Sequence, residues 1–125
     1  PQRKLYTSNR KAEKEENMMS ERLENKCRAL IEEHKYVECE KVIVMSMIKM
    51  PHSAVPHNLM GILLEKEHNH ILAMRHFRAA YGLDPAYVPA RYNLDHYGEV
   101  FPTGLRQCAY TEEDCPVTKD SYLNM

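Results

Sequence analysis

Apolar residues recur along the middle of this chain with the period of a helix. Leu23, Cys27, Leu30 and Ile31 fall at i, i+4, i+7 and i+8, the spacing of one helix face. Ile71, Met74, Phe77, Ala80 and Tyr81 form a second such stripe. Residues 18–101 hold almost no strand-like alternation. Pro51 and Pro85 divide the run, because a proline cannot supply an intrahelical donor and so closes the helix before it. The pattern predicts an all-α fold of helices at about 19–33, 36–49, 54–67, 70–83 and 88–100, joined by short connections that fold neighbours back on one another.

The flanks read differently. Residues 1–17 are charged, and between Tyr6 and Met18 Ala12 is the one hydrophobic residue. Lys and Glu at i,i+4 spacing support a helix there, but it has no apolar stripe to bury. Residues 102–125 open with Pro102-Thr-Gly104, a helix stop, and then read as loop. This C-terminal tail is expected to be mobile unless something pins it. It carries Tyr110, Tyr122 and Leu123, so folding back onto the helical part stays open. The organisation is thus a charged segment 1–17, a helical domain 18–101 and a tail 102–125.

The helical part repeats itself. Pro51 and Pro85 stand 34 residues apart, each at the end of a helical run. The window Ala54–Tyr87 supplies His57, Met60-Gly61, Leu64, Ala73, Phe77, Ala80 and Pro85. A known helix–turn–helix repeat of this period prefers Trp, Leu-Gly, Tyr, Ala, Phe, Ala and Pro at those places. Gly61, Ala73, Phe77, Ala80 and Pro85 are the preferred residues; His57, Met60 and Leu64 are substitutions. The window Ser20–Ser53 keeps the register with Leu23, Lys26-Cys27, Leu30, Cys39, Ile43, Ser46 and Pro51. The window from Val88 offers Arg91, Leu94-Asp95 and Gly98. Over residues 20–100 the chain resembles the tetratricopeptide repeat (TPR) family. The resemblance implies a short helical solenoid of two TPR helix–turn–helix repeats plus a C-terminal capping helix, Val88–Val100. Small residues at Gly61, Ala73 and Ala80 suit close helix approach, with Leu64 and Phe77 filling the gaps. So small a core predicts help from self-association, the N-terminal helix or a partner.

In that family the first helix of each repeat lines a concave groove. By register, the resemblance places Glu24, Arg28, Asn58, Ile62, Glu65, Tyr92, Asn93 and His96 in it, beside Glu21, Ile31, Glu32, Val55, Lys66 and Glu99. Acids outnumber bases on this face, so the expected ligand is a peptide or helix with basic and apolar residues. The amides of Asn58 and Asn93 donate and accept at once and are expected to hold an extended backbone. Arg28, Glu65 and Tyr92 would tune side-chain choice. One branch of the family clamps a carboxylate with Lys, Asn and Arg. Its places here hold Glu24, Arg28, Leu59, Pro89 and Asn93; Glu24 would repel the ligand, so that branch is set aside.

Composition narrows the functions. Lys+Arg 17 against Asp+Glu 18 lacks the basic excess of a nucleic-acid binder. Arg3, Lys4, Arg10 and Lys11 are followed at once by Glu13, Glu15 and Glu16. No apolar run is long enough to span a membrane. The charged N-terminus does not read as a secretory signal, so the four cysteines are expected as reduced thiols in a cytoplasm. Cys27 and Cys39 fall where the repeat wants small buried residues, whereas Cys108 and Cys115 lie in the tail and leave a disulfide or redox role open. There is no C-x-x-C or H-E-x-x-H pattern and no phosphate-binding glycine loop, so neither an enzyme, a metal nor another cofactor is expected. His68, His70 and His76 read as turn and surface residues, and His57 as packing. Met45, Met47, Met50, Met60 and Met74 read as core filler, with an adaptable binding surface as the alternative.

The leading expectation is a non-catalytic adaptor that binds a protein segment in the groove. The alternative is a structural subunit, or a homo-oligomer, docking through the edge of the solenoid.

Overall fold

The computed structural model describes residues 2–98 and 108–115. Among these the chain is all-α: α1 (Gln2–Glu32), α2 (Tyr36–Lys49), α3 (Val55–Lys66), α4 (His70–Leu83) and α5 (Val88–Tyr97). A short 3-10 turn, Glu112–Asp114, follows. Each helix packs on the next in sequence, and α3 also touches both α1 and α5. The odd-numbered helices therefore share one face of the molecule.

The breaks between helices recur at one interval. α1 ends as His34 enters the left-handed region (φ 59°) and the Lys35 N–H donates to the Leu30 carbonyl at 2.8 Å. α3 ends identically 34 residues later, with His68 at φ 64° and Asn69 N–H on the Leu64 carbonyl at 2.8 Å. This six-to-one bond satisfies a carbonyl that the helix end would otherwise leave without a partner. The even helices end alike too. Met50 N–H reaches the Ser46 carbonyl and Asp84 N–H the Ala80 carbonyl, and Pro51 and Pro85 follow. Pro56 and Pro89 sit in the first turns of α3 and α5, where a missing N–H leaves no bond unmade. The Asn69 side chain caps α4 by accepting from Leu72 N–H.

The core is continuous from α1 to α5. Leu23, Cys27 and Ile31 of α1, Cys39 and Ile43 of α2, Leu59, Ile62 and Leu63 of α3, and Ala73 and Phe77 of α4 are buried. Phe77 stacks on Tyr97 with ring centroids 5.6 Å apart. A Cβ at Gly61 would collide with the Phe77 ring, so glycine there is required by the close α3–α4 approach.

Two details became visible only in the structure. Helix α1 runs unbroken across residues 17 and 18, so the charged segment and the first core helix are one element. Residues 10–19 are exposed, in keeping with their polar sequence. On α4 the buried face is Ala73, Met74, Phe77 and Ala80, while Ile71 is 71% exposed and Tyr81 40%. Ile71 lies six residues from Phe77, which on a helix is about 120° away. Of the methionines, Met50, Met60 and Met74 are buried, Met47 is partly so, and Met45 is exposed. Residues 99–107, with Pro102 and Gly104, lie outside the described part, as do Tyr122 and Leu123.

Candidate functional site

The face shared by α1, α3 and α5 is occupied by the chain's own residues 108–115. Asn93 on α5 meets the Ala109 backbone with both ends of its amide. Its Nδ2 donates to the Ala109 carbonyl at 2.8 Å, and its Oδ1 accepts from the Ala109 N–H at 2.7 Å. The second Nδ2 proton goes to Asn58 Oδ1 at 2.8 Å. Asn58 Nδ2 returns to the same Ala109 carbonyl at 3.1 Å. Asn58, Asn93 and Ala109 are all wholly buried, so every bond works in low dielectric. The amide orientations follow from this network, since any other would set like groups against each other.

A second set of contacts holds the residues that follow. Arg28 of α1 forms an ion pair with Asp114, and its guanidinium lies 5.1 Å from the centre of the Tyr110 ring. Asp114 Oδ2 also accepts from the N–H groups of Tyr110 at 2.9 Å and Thr111 at 3.1 Å, which fixes the turn. Tyr87 donates its hydroxyl to Glu24 at 2.5 Å and stands 3.5 Å from the Tyr110 carbonyl. Burial pushes the Glu24 carboxyl above its ordinary value, and the Tyr87 hydrogen bond opposes that shift. Burial, with the Glu24 charge behind it, pushes the Tyr87 phenol up, so it stays a donor.

Of the residues assigned to the groove from sequence, Glu24, Arg28, Asn58 and Asn93 converge on this segment. Ile62 lies wholly buried in the core cluster that also takes Cys108 and Tyr110. Glu65 instead pairs with His70 at 2.8 Å. Tyr92 packs on His96, which is buried and also meets Tyr97. Sequence reasoning assigned Tyr87, Ala109 and Asp114 no part in this face. The signal for Asp114 was present: Thr111-x-x-Asp114 is the spacing by which a side chain reaches back to close a turn.

Beside the segment opens a cleft of about 610 Å³ whose acids are Glu16, Glu21, Glu24, Asp84, Glu112 and Glu113. Among the described residues His52 is the one basic side chain on its wall.

The cysteines are free thiols, and all four are buried. A hydrogen bond to Cys39 and burial hold the Cys27 thiol up. Burial likewise raises Cys108, and pushes Cys115 up to about 11. Thiols held this way are poor nucleophiles near neutrality. The His57 and His76 rings stack with their Nδ1 atoms 3.2 Å apart. Among the described residues no group of three or more His, Cys, Asp or Glu side chains converges as metal ligands would. None of the described helices is long and apolar enough to cross a membrane. No family model, no curated protein and no solved structure matches this chain.

Proposed function

We propose that the chain is a non-catalytic protein-interaction module that binds a segment of another protein on the face of Glu24, Arg28, Asn58 and Asn93. The observation that carries this reading is the grip of Asn58 and Asn93 on the Ala109 backbone. Both main-chain polar groups of one residue are read by side chains, and nothing in that contact depends on the segment belonging to the same chain. Two buried carboxamides set to hold a main chain fit recognition of an extended peptide. The 34-residue recurrence of the helix-ending bonds supports a TPR-type repeat array, whose first helices line such a groove. The acids of the adjoining cleft suit a partner with basic residues flanking the bound stretch.

The test is capture of binding proteins by the intact chain and by Asn58→Ala, Asn93→Ala and Arg28→Glu variants of equal helicity. A partner lost from all three supports groove binding. A partner retained by all three moves the interface elsewhere.

The structural-subunit reading has its own observation. Val37, Val44, Met45 and Ile48 form an exposed stripe on α2, with Val37 68% and Ile48 69% exposed. Concentration-dependent mass in sedimentation, abolished by Val37→Glu with Ile48→Glu, would favour that reading.

A further inference from the structure

We propose that residues 108–115 are a tethered stand-in for the partner. The segment this face takes in trans then carries a small residue, an aromatic next to it, and a carboxylate four residues beyond the aromatic. The inference rests on the groove-binding reading and adds the ligand's chemistry to it.

Each feature follows from a contact. Ala109 is wholly enclosed, and both its N–H and its carbonyl are bonded to Asn93. A bulky side chain there has no space, and proline has no N–H to give. Tyr110 is buried with its ring against the Arg28 guanidinium, a site for an aromatic. Asp114 supplies the charge that Arg28 meets, and accepts from the two N–H groups that turn the chain back. The site therefore recognises an extended residue followed by a tight turn, rather than a helix. Glu112 and Glu113 are the exposed residues of the segment, which leaves them free to vary.

Tethering sets the behaviour. A segment joined to α5 through residues 99–107 is present at a high effective concentration, so a partner in trans must displace it. The partner's apparent affinity is lowered by the fraction of molecules in which the face is covered. The Arg28–Asp114 pair keeps about a third of each side chain in solvent, which makes it the contact most open to exchange.

The probe is a fluorescent synthetic peptide of residues 106–117, kept reduced. It is titrated into the full-length chain and into a full-length variant carrying Tyr110→Ala with Asp114→Ala, which weakens the tethered copy. The variant should bind the peptide at least tenfold more tightly than the unaltered chain. Adding Arg28→Ala to that variant, or Asp114→Asn to the peptide, should each weaken binding severalfold. Ala109→Leu or Ala109→Pro in the peptide should abolish it.

Equal binding by both chains, or of the Ala109→Leu peptide, overturns the proposal. So does loss of the helical signal in the Tyr110→Ala, Asp114→Ala chain, which would make the segment part of the fold. An unaltered chain that is dimeric until those two substitutions are made identifies a second copy as the occupant and also overturns it. Peptide failure alongside a captured partner that still needs Asn93 defeats this inference alone. A partner indifferent to Asn58, Asn93 and Arg28 defeats the groove reading itself.

Discussion

Asn93 satisfies three polar atoms besides its own: the N–H and carbonyl of Ala109 and the Oδ1 of Asn58. Asn93→Ala withdraws a partner from each of them in a buried site. Leaving buried groups without hydrogen bonds costs about 1–3 kcal/mol each when they cannot reach water. Here the segment can lift away and let water in, so the expected loss is about 2 kcal/mol in denaturant unfolding, with native helicity retained. The His57–His76 pair makes a pH prediction. Burial lowers both from the ordinary 6.5, and at His76 the charge of His57 adds to it. The folded state thus binds fewer protons than the unfolded one as pH falls through 6.5. Stability is fully present above that pH and declines below it. Thermal melts between pH 7.5 and 5 should show the decline, and His57→Gln with His76→Gln should flatten it.

Among the helices, the ends carry the repeat more clearly than the interiors. His34 and His68 both take a left-handed conformation that a residue with a Cβ adopts at a cost of about 1–2 kcal/mol. Glycine has no such cost, though it loses more freedom on folding. His68→Gly should therefore raise stability by about 0.5–1 kcal/mol, read as a higher denaturation midpoint at an unchanged slope. An unchanged midpoint would mean the His68 side chain contributes as much as the strain removes. The interior of α3 shows the opposite requirement. Gly61 is needed for space and not for backbone freedom, since the Phe77 ring lies where its Cβ would be.

For the molecule as a whole, the segment 108–115 joins the two ends of the helical array. It brings Arg28 of α1 within reach of Asp114 and the Asn93 amide of α5 onto Ala109. Removing residues 103–125 should lower the melting temperature, because Cys108, Ala109 and Tyr110 leave buried positions. The same deletion should raise the affinity of any groove partner, because the tethered competitor is gone. Calorimetry and a binding titration on one preparation check both. A deletion that lowers stability without raising affinity would place the partner elsewhere.

The helices were legible in the sequence because their signals are local. Apolar spacing, Pro51, Pro85 and the small residues at Gly61, Ala73 and Ala80 act within a turn or two of the chain. Asn58 and Asn93 stood out in the sequence as amides able to donate and accept at once, and both meet the Ala109 backbone. The rotation of α4 was not legible: both Ile71 and Ala73 fit a stripe, and the choice rests on the close fit of Phe77 against Gly61. Nor was the segment that covers the face of α1, α3 and α5. Ala109, Tyr110 and Asp114 sit in a loop-like, charged stretch with no periodicity. Their partners Asn93 and Arg28 lie 16 and 86 residues away. Local sequence set the helices and where they stop. Which surface the tail covers is decided by hydrogen bonds and an ion pair that exist only once the helices have brought Arg28, Asn58 and Asn93 onto one face.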